Sequence, residues 1–268
     1  MNSSIFTSVI NFYLPEPHAS LLNGIIFGVP LKASPTLYTD LRTVGLLHLV
    51  VLSGMNITLL ATIVANLTSF LDKKFSLIIS ILCIIGFILF VGPAAPIIRA
   101  GIMGILALMA VAYGKRAVPL YCMLISFVII AIFWPSWISS ISLQLSYGAT
   151  LGIILFGKGK TLSNDSSELN KFISSVRREF RISLTAQLFT APIIFIHFRQ
   201  ISFVSPLANV LVAFTVGPLM VFGFATAILG KINFTLGLLP SYVCYAILQY
   251  IILVVGLLSK LPLANYHW

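Results

Sequence analysis

The sequence predicts an all-α fold: a polytopic integral membrane helical bundle of about seven or eight transmembrane helices, with broken or re-entrant segments. Three observations predict it. The 268 residues are 59% hydrophobic and 8% charged, with mean hydropathy +1.07, whereas a soluble domain runs about 45–50% apolar and about 25% charged. Runs such as 44–70 and 117–133 contain no Asp, Glu, Lys or Arg, and apolar stretches near 20 residues read as membrane spans. Prolines at 93, 96, 192, 206 and 218 interrupt the apolar runs, and unwound backbone at membrane depth is tolerated where it lines a cavity or is buried in protein. Together these exclude a cytosolic enzyme, a disordered chain and a DNA-binding domain of soluble type.

Residues 1–43 read as an N-terminal segment in which 21–31 is a short apolar preface with Gly24 and Gly28, too short to cross and expected to be an interfacial helix. This region lacks a basic n-region and a cleavage site, so no signal peptide is expected. The transmembrane domain runs from 44 to 260. Spans are expected at about 44–70, 75–91, 97–113, 117–134, 137–157, 182–198, 203–230 and 236–258. The Gly92-Pro93-Ala94-Ala95-Pro96 turn and Trp134-Pro135 end the second and fourth. Pro206, Gly217 and Pro218 leave open whether 203–230 spans or re-enters. Residues 158–181 form a polar, basic loop, too short for a second domain, whose 168–181 half reads as an amphipathic helix on the membrane surface.

The net charge is +10, from 16 Lys+Arg against 6 Asp+Glu. Cytoplasmic loops collect Lys and Arg. One side holds Lys73, Lys74, Lys115, Arg116, the basic loop with Lys158, Lys160, Lys171, Arg177, Arg178 and Arg181, and Lys231; the other holds Lys32, Arg42, Arg199 and Lys260. That alternation predicts the first set inside and the N-terminus outside. Cys83, Cys122 and Cys244 each lie in an apolar span without CxxC or Cys/His spacing, so no metal and no disulfide framework is expected.

Polar groups within a span are costly and face a partner or a water-filled cavity. The candidates are His48, Ser53 and Asn56 in the first span, Arg99 in the third, Gln144, Ser146 and Tyr147 in the fifth, Gln187 and His197 in the sixth and Asn209 in the seventh. Gly45, His48 and Asn56 fall within about a third of a turn on one helical face, as either a polar stripe lining a path or interhelical hydrogen bonds. A His48–Ser53 catalytic dyad is disfavoured, because a spacing of five points the side chains about 140° apart. Arg99, just inside a span start, reads as a snorkelling residue or as a positive charge facing an aqueous passage. Gln144 and Gln187 are expected in the bundle interior. His197 and Arg199 are placed at the outer end of the sixth span.

Four collinear segments resemble the competence domain of the ComEC family, the inner-membrane channel proteins of natural transformation. Residues 41–56, with Gly45, His48, Ser53, Gly54 and Asn56, are similar to its "GL-HLLAISGLH" signature. Pro96 to Met103, with Arg99 and Ala100, resembles "SVLRAALM". Leu143-Gln144-Leu145-Ser146-Tyr147 with Gly152 resembles "FQLSFLATLGL". Ala186-Gln187 through Pro192, Phe198 and Ser202 to Asn209 resembles "AQLATLPLLLYHFGQISLLSLLAN". Asn56 stands where the signature has a second His, Tyr147 where it has Phe, and Arg199 where it has Gly.

The resemblance implies a channel component for import of single-stranded DNA into the cytoplasm, in the bacterial plasma membrane, with no enzymatic step and no cofactor. Full-length relatives add an OB-fold-like and a metallo-β-lactamase-like region. Neither is expected here, so separate DNA-receptor, nuclease and motor proteins are the expected partners beside the lipid bilayer and single-stranded DNA, and a homo-oligomer is compatible with the bundle. Two other readings use the same bundle: a secondary transporter or lipid-handling protein, and a non-transporting membrane scaffold.

Overall fold

Uninterrupted apolar sequence between basic or Pro/Gly turns folds as helix in the computed structural model, which describes residues 4–31, 35–50, 54–68, 70–157, 168–261 and 266–267. Helix is the form that satisfies every backbone donor and acceptor within one segment, as hydrocarbon requires. In chain order the helices are α1 (Ser4–Tyr13), α2 (His18–Phe27), α3 (Pro35–Val44), α4 (Leu47–Val50), α5 (Gly54–Leu67), α6 (Lys73–Val91), α7 (Ala95–Ala112), α8 (Pro119–Phe133), α9 (Ile141–Phe156), α10 (Glu168–Phe198), α11 (Ser205–Ile232) and α12 (Phe234–Leu258). A 3-10 turn, Pro135–Ser139, joins α8 to α9, and Gln200–Ile201 pairs antiparallel with Tyr266–His267. The protein is an all-α membrane protein. Five stretches are long and apolar enough to cross a bilayer: Lys74–Val91, Ala95–Ala112, Ile173–His197, Ser205–Ile232 and Phe234–Leu258. The other segments expected to span form shorter apolar helices of 14 to 16 residues, α5, α8 and α9.

The described residues divide into two compact units, one within 52–147 and the other within 4–51 and 148–268. In the first, α5, α6 and α7 pack on one another and α8 packs on α7. Proline opens α7, α8 and the 3-10 turn, where its missing N–H has no intrahelical partner to lose. Ala95, Ile130 and Leu143 are buried together, with Ile102, Trp137 and Tyr147 packed around them. Leu89 and Ile132 stand well exposed on the outer faces, as lipid-facing residues do.

The second unit is built on the α11–α12 pair. Asn233 caps α12 by accepting the Thr235 N–H at 3.0 Å, which satisfies one of the donors orphaned at a helix start. Helix α10 runs antiparallel to α11. Helix α2 is buried along its whole length and packs on α4, α11 and α12. Helix α1 folds back over it, and Asn23 Nδ2 donates to Asn11 Oδ1 at 2.7 Å.

Several expectations are corrected. The stretch 44–70 is not one helix: α3 ends at Val44, Gly45 turns at φ +77°, and the short α4 precedes α5. The 203–230 stretch, expected as a span with re-entry left open, is a single helix, α11, continuous over 28 residues with Pro206 in its first turn and Pro218 inside. Pro192 likewise lies inside α10. The 168–181 segment is not a separate surface helix but the first part of the 31-residue α10, while 158–167 lies outside the described residues. The N-terminal apolar preface is a buried helix, α2, rather than an interfacial one, because α1 covers it.

Helix α1 lies at a defined end of the second unit. Within the second unit, the end of α11 with Lys231 lies at the same end as the start of α10 with Arg177, Arg178 and Arg181. Helix α1 also lies there, with Tyr13 against Gly230 and Phe234. Gly45 lies at the opposite end, against Ser202 and Ser205. The chain therefore passes from one end of the unit to the other between α1 and α4, in a region read from sequence as too short to cross. Helix α1 thus lies at the end of the second unit that holds Lys231.

Candidate functional site

A polar seam joins α10, the α10–α11 turn, α11 and the Gly45 turn in the second unit. Gln187 Nε2 donates to the Ser202 carbonyl. Because that carbonyl can only accept, it fixes the amide orientation, and Gln187 Oε1 is left as a buried acceptor with no hydrogen-bond partner. Asn209 Nδ2 donates to Ser183 Oγ at 2.9 Å and reaches Ser205 Oγ at 3.5 Å. Ser183, Ser202 and Ser205 are all buried. Gly45 lies directly over the seam: a Cβ there would meet Ser205 Cβ at 2.8 Å and Ser202 Cβ at 3.2 Å. His48 Nδ1 donates to the Gly45 carbonyl at 3.0 Å. The packing thus brings together two of the expected residues, Gln187 and Asn209, while His48, itself exposed, is tied to the seam only through the Gly45 carbonyl.

A second cluster lies in the first unit. Arg99 on α7 is 8% exposed. Its guanidinium donates to Ser146 Oγ on α9 and reaches Met103 Sδ, one turn along its own helix, at 3.4 Å. The guanidinium carbon is 5.8 Å from the centre of the Tyr147 ring, within cation–π range. Ser126 Oγ donates its one proton to the Met123 carbonyl at 2.7 Å. The Tyr147 hydroxyl, 3.0 Å away, must therefore be the donor to Ser126. Among the described residues the partners of Arg99 include a hydroxyl, a thioether and an aromatic face. Arg99 is thus cradled inside its unit rather than snorkelling at an edge.

The remaining expected residues fall elsewhere. Asn56 is buried in α5 and belongs to the first unit, whereas His48 belongs to the second. Ser53 lies outside the described residues. Gln144 bonds back to the Ile138 carbonyl at 3.3 Å, so it ties α9 to the turn just before it instead of reaching across the bundle. His197 donates to Ile193 within its own helix at 2.9 Å.

Ser183, Ser205 and Ser126 were missed from sequence. Two were legible: Ser183 stands four residues before Gln187, and Ser205 four before Asn209, one turn away on the same helical face. A further polar contact was missed entirely. His18 Nε2 donates to Gln249 Oε1 at 2.8 Å, and its ring stacks on Tyr245 with 4.5 Å between centres. Tyr245 and Gln249, again one turn apart in an apolar span, were the available signal.

The seam offers neutral hydroxyls and amides, and the first unit offers a guanidinium. Among the described residues no group of three His, Cys, Asp or Glu side chains is placed to hold a metal ion, and Cys83, Cys122 and Cys244 are free thiols.

A family described as Competence protein matches residues 25–268. Among curated relatives, the ComE operon protein 3 of Bacillus subtilis (strain 168) is 25% identical over 210 residues, which cover 76% of this chain and 25% of that protein. The match thus takes in about a quarter of that relative's length. No solved structure matches.

Proposed function

Because this chain belongs to the competence-protein family, we propose that it forms, or helps to form, the membrane passage through which single-stranded DNA enters the cytoplasm during natural transformation. The observation that carries the reading is the polar seam of Gln187, Ser183, Ser202, Ser205 and Asn209 beneath Gly45 and His48, inside an otherwise apolar unit. A polyanion in transit needs polar partners at membrane depth, yet ones weak enough to release it. Hydroxyls and amides meet both needs. Arg99 adds a positive potential in the first unit, and the basic ends of α10 and α11 receive the strand on the cytoplasmic side.

In this reading the chain performs no chemical step and needs no cofactor. Separate proteins deliver the DNA, degrade one strand and drive transport, and the bacterial plasma membrane is the site of action. DNase-protected uptake of labelled DNA tests it, comparing wild type, a deletion, Arg99→Ala and His48→Ala at matched protein levels. Uptake is expected to vanish in the deletion and to fall at least tenfold in Arg99→Ala, with a smaller loss in His48→Ala. Unchanged uptake in the deletion overturns the reading. Loss in the deletion with full uptake in both point variants favours a scaffold.

A further inference from the structure

Helix α1 and the α11–α12 turn enclose an open groove of about 390 Å³ lined by Ser8, Val9, Phe12, Tyr13, Gly230 and Phe234. Its walls are aromatic and rigid. Tyr13 stacks on Phe234 at 5.5 Å, and its hydroxyl donates to the Phe234 carbonyl at 2.9 Å. Phe12 meets Phe234 edge-on at 5.6 Å. Yet Phe12 is 72% exposed and Phe234 52%, so the fold leaves a large apolar surface open there.

A cation stands beside the groove. Lys231 follows Gly230 directly, and its ammonium lies 5.3 Å from the centre of the Phe6 ring on α1. Lys231 is exposed and meets no carboxylate among the described residues. The groove also sits at a defined level. It lies where one membrane-crossing helix ends and the next begins, the boundary at which amphipathic aromatic rings settle. It lies at the end of the second unit that carries Arg177, Arg178 and Arg181, the cytoplasmic end by the distribution of basic residues. The cytoplasmic leaflet is the anionic one.

We propose that this groove is a binding site for an anionic phospholipid of the cytoplasmic leaflet. The headgroup phosphate pairs with Lys231, and the upper acyl chain lies against Phe12 and Phe234. The same proposal places α1 on the cytoplasmic face. It stands independently of DNA import, since its ligand belongs to the bilayer.

The test uses the full chain in nanodiscs of equimolar phosphatidylglycerol and phosphatidylcholine, with retained lipid counted by native mass spectrometry. Wild type is expected to retain phosphatidylglycerol in preference to phosphatidylcholine. Lys231→Gln is expected to lower that preference about fivefold, the usual weight of one basic residue at an anionic surface. Phe12→Ala is expected to reduce retention of both lipids. Lys260→Gln, at the opposite end, is expected to change nothing. Lys231 is exposed, so its variant keeps the test valid if Phe12→Ala fails to fold. Equal retention of the two lipids by wild type, or an unchanged preference in Lys231→Gln, overturns the proposal. Cross-linking of single-stranded DNA rather than lipid to a photoreactive residue at position 12 overturns it too. Ser8→Cys supplies a second readout. An impermeant maleimide is expected to label it in inverted vesicles and not in intact cells, and labelling in intact cells contradicts the cytoplasmic placement.

Discussion

Arg199 leaves the end of α10 with φ +51°, the left-handed conformation that glycine adopts freely and that costs other residues about 1–2 kcal/mol. The segment it occupies resembles a family pattern with glycine at this position. Arg199→Gly is therefore expected to stabilise the protein by about 1 kcal/mol, read as a raised thermal midpoint in detergent. Gly45 presents the opposite case. It is also left-handed, and a side chain there would run into Ser205, so position 45 has both the conformation and the space of glycine alone. These two positions show what a sequence conceals at this scale. The polar identities of Gln187 and Asn209 were visible, but their partners depended on a turn that brings Ser202 and Ser205 back against α10. Arg99 was visible as a charge in a span. The Ser126–Tyr147 bond that steadies the ring beside it was not, because the two residues lie on different helices with 21 positions between them.

Helices were legible where apolar runs end at charged or proline turns, as in α6, α7 and α8. They were misread where the run itself hides the break. The 44–70 stretch is uncharged throughout, and periodicity cannot register that Gly45 turns the backbone left-handed. Prolines misled in the other direction. Pro192 and Pro218 lie inside α10 and α11, where neighbouring helices and local adjustment re-satisfy the backbone group that each frees. The packing of α9 on α10 rests on close approach. A Cβ at Gly152 would come within 2.6 Å of the Thr185 carbonyl oxygen and 2.8 Å of the Phe189 ring. Gly148 stands four residues earlier on the same face, which gives the small-residue spacing that lets membrane helices touch. Gly152→Leu is expected to separate these two helices. The check is a disulfide cross-link between cysteines placed on α9 and α10, which should form in the parent and be lost in the variant.

At the scale of the whole molecule, membership of the membrane-protein class was legible from composition alone. The end of the second unit at which α1 lies was not. It depends on α1 folding back onto the α11–α12 turn, a contact between residues more than 200 positions apart that no local pattern encodes. One dimension carries a consequence for the surrounding bilayer. Helix α8 has 15 residues, so it is about 22 Å long, against a hydrocarbon thickness of about 30 Å. Both of its ends are anchored. Lys115 and Arg116 precede it, and the stacked Trp134–Trp137 pair, 5.2 Å between centres, follows it. Such anchors prefer the headgroup level, so lipid beside α8 must compress to meet them. The protein should therefore be most stable in thin membranes. Reconstituted in phosphatidylcholines of increasing chain length, its thermal midpoint is expected to fall as acyl chains grow from 14 to about 20 carbons, which makes bilayer thickness a physical variable that selects where this protein resides.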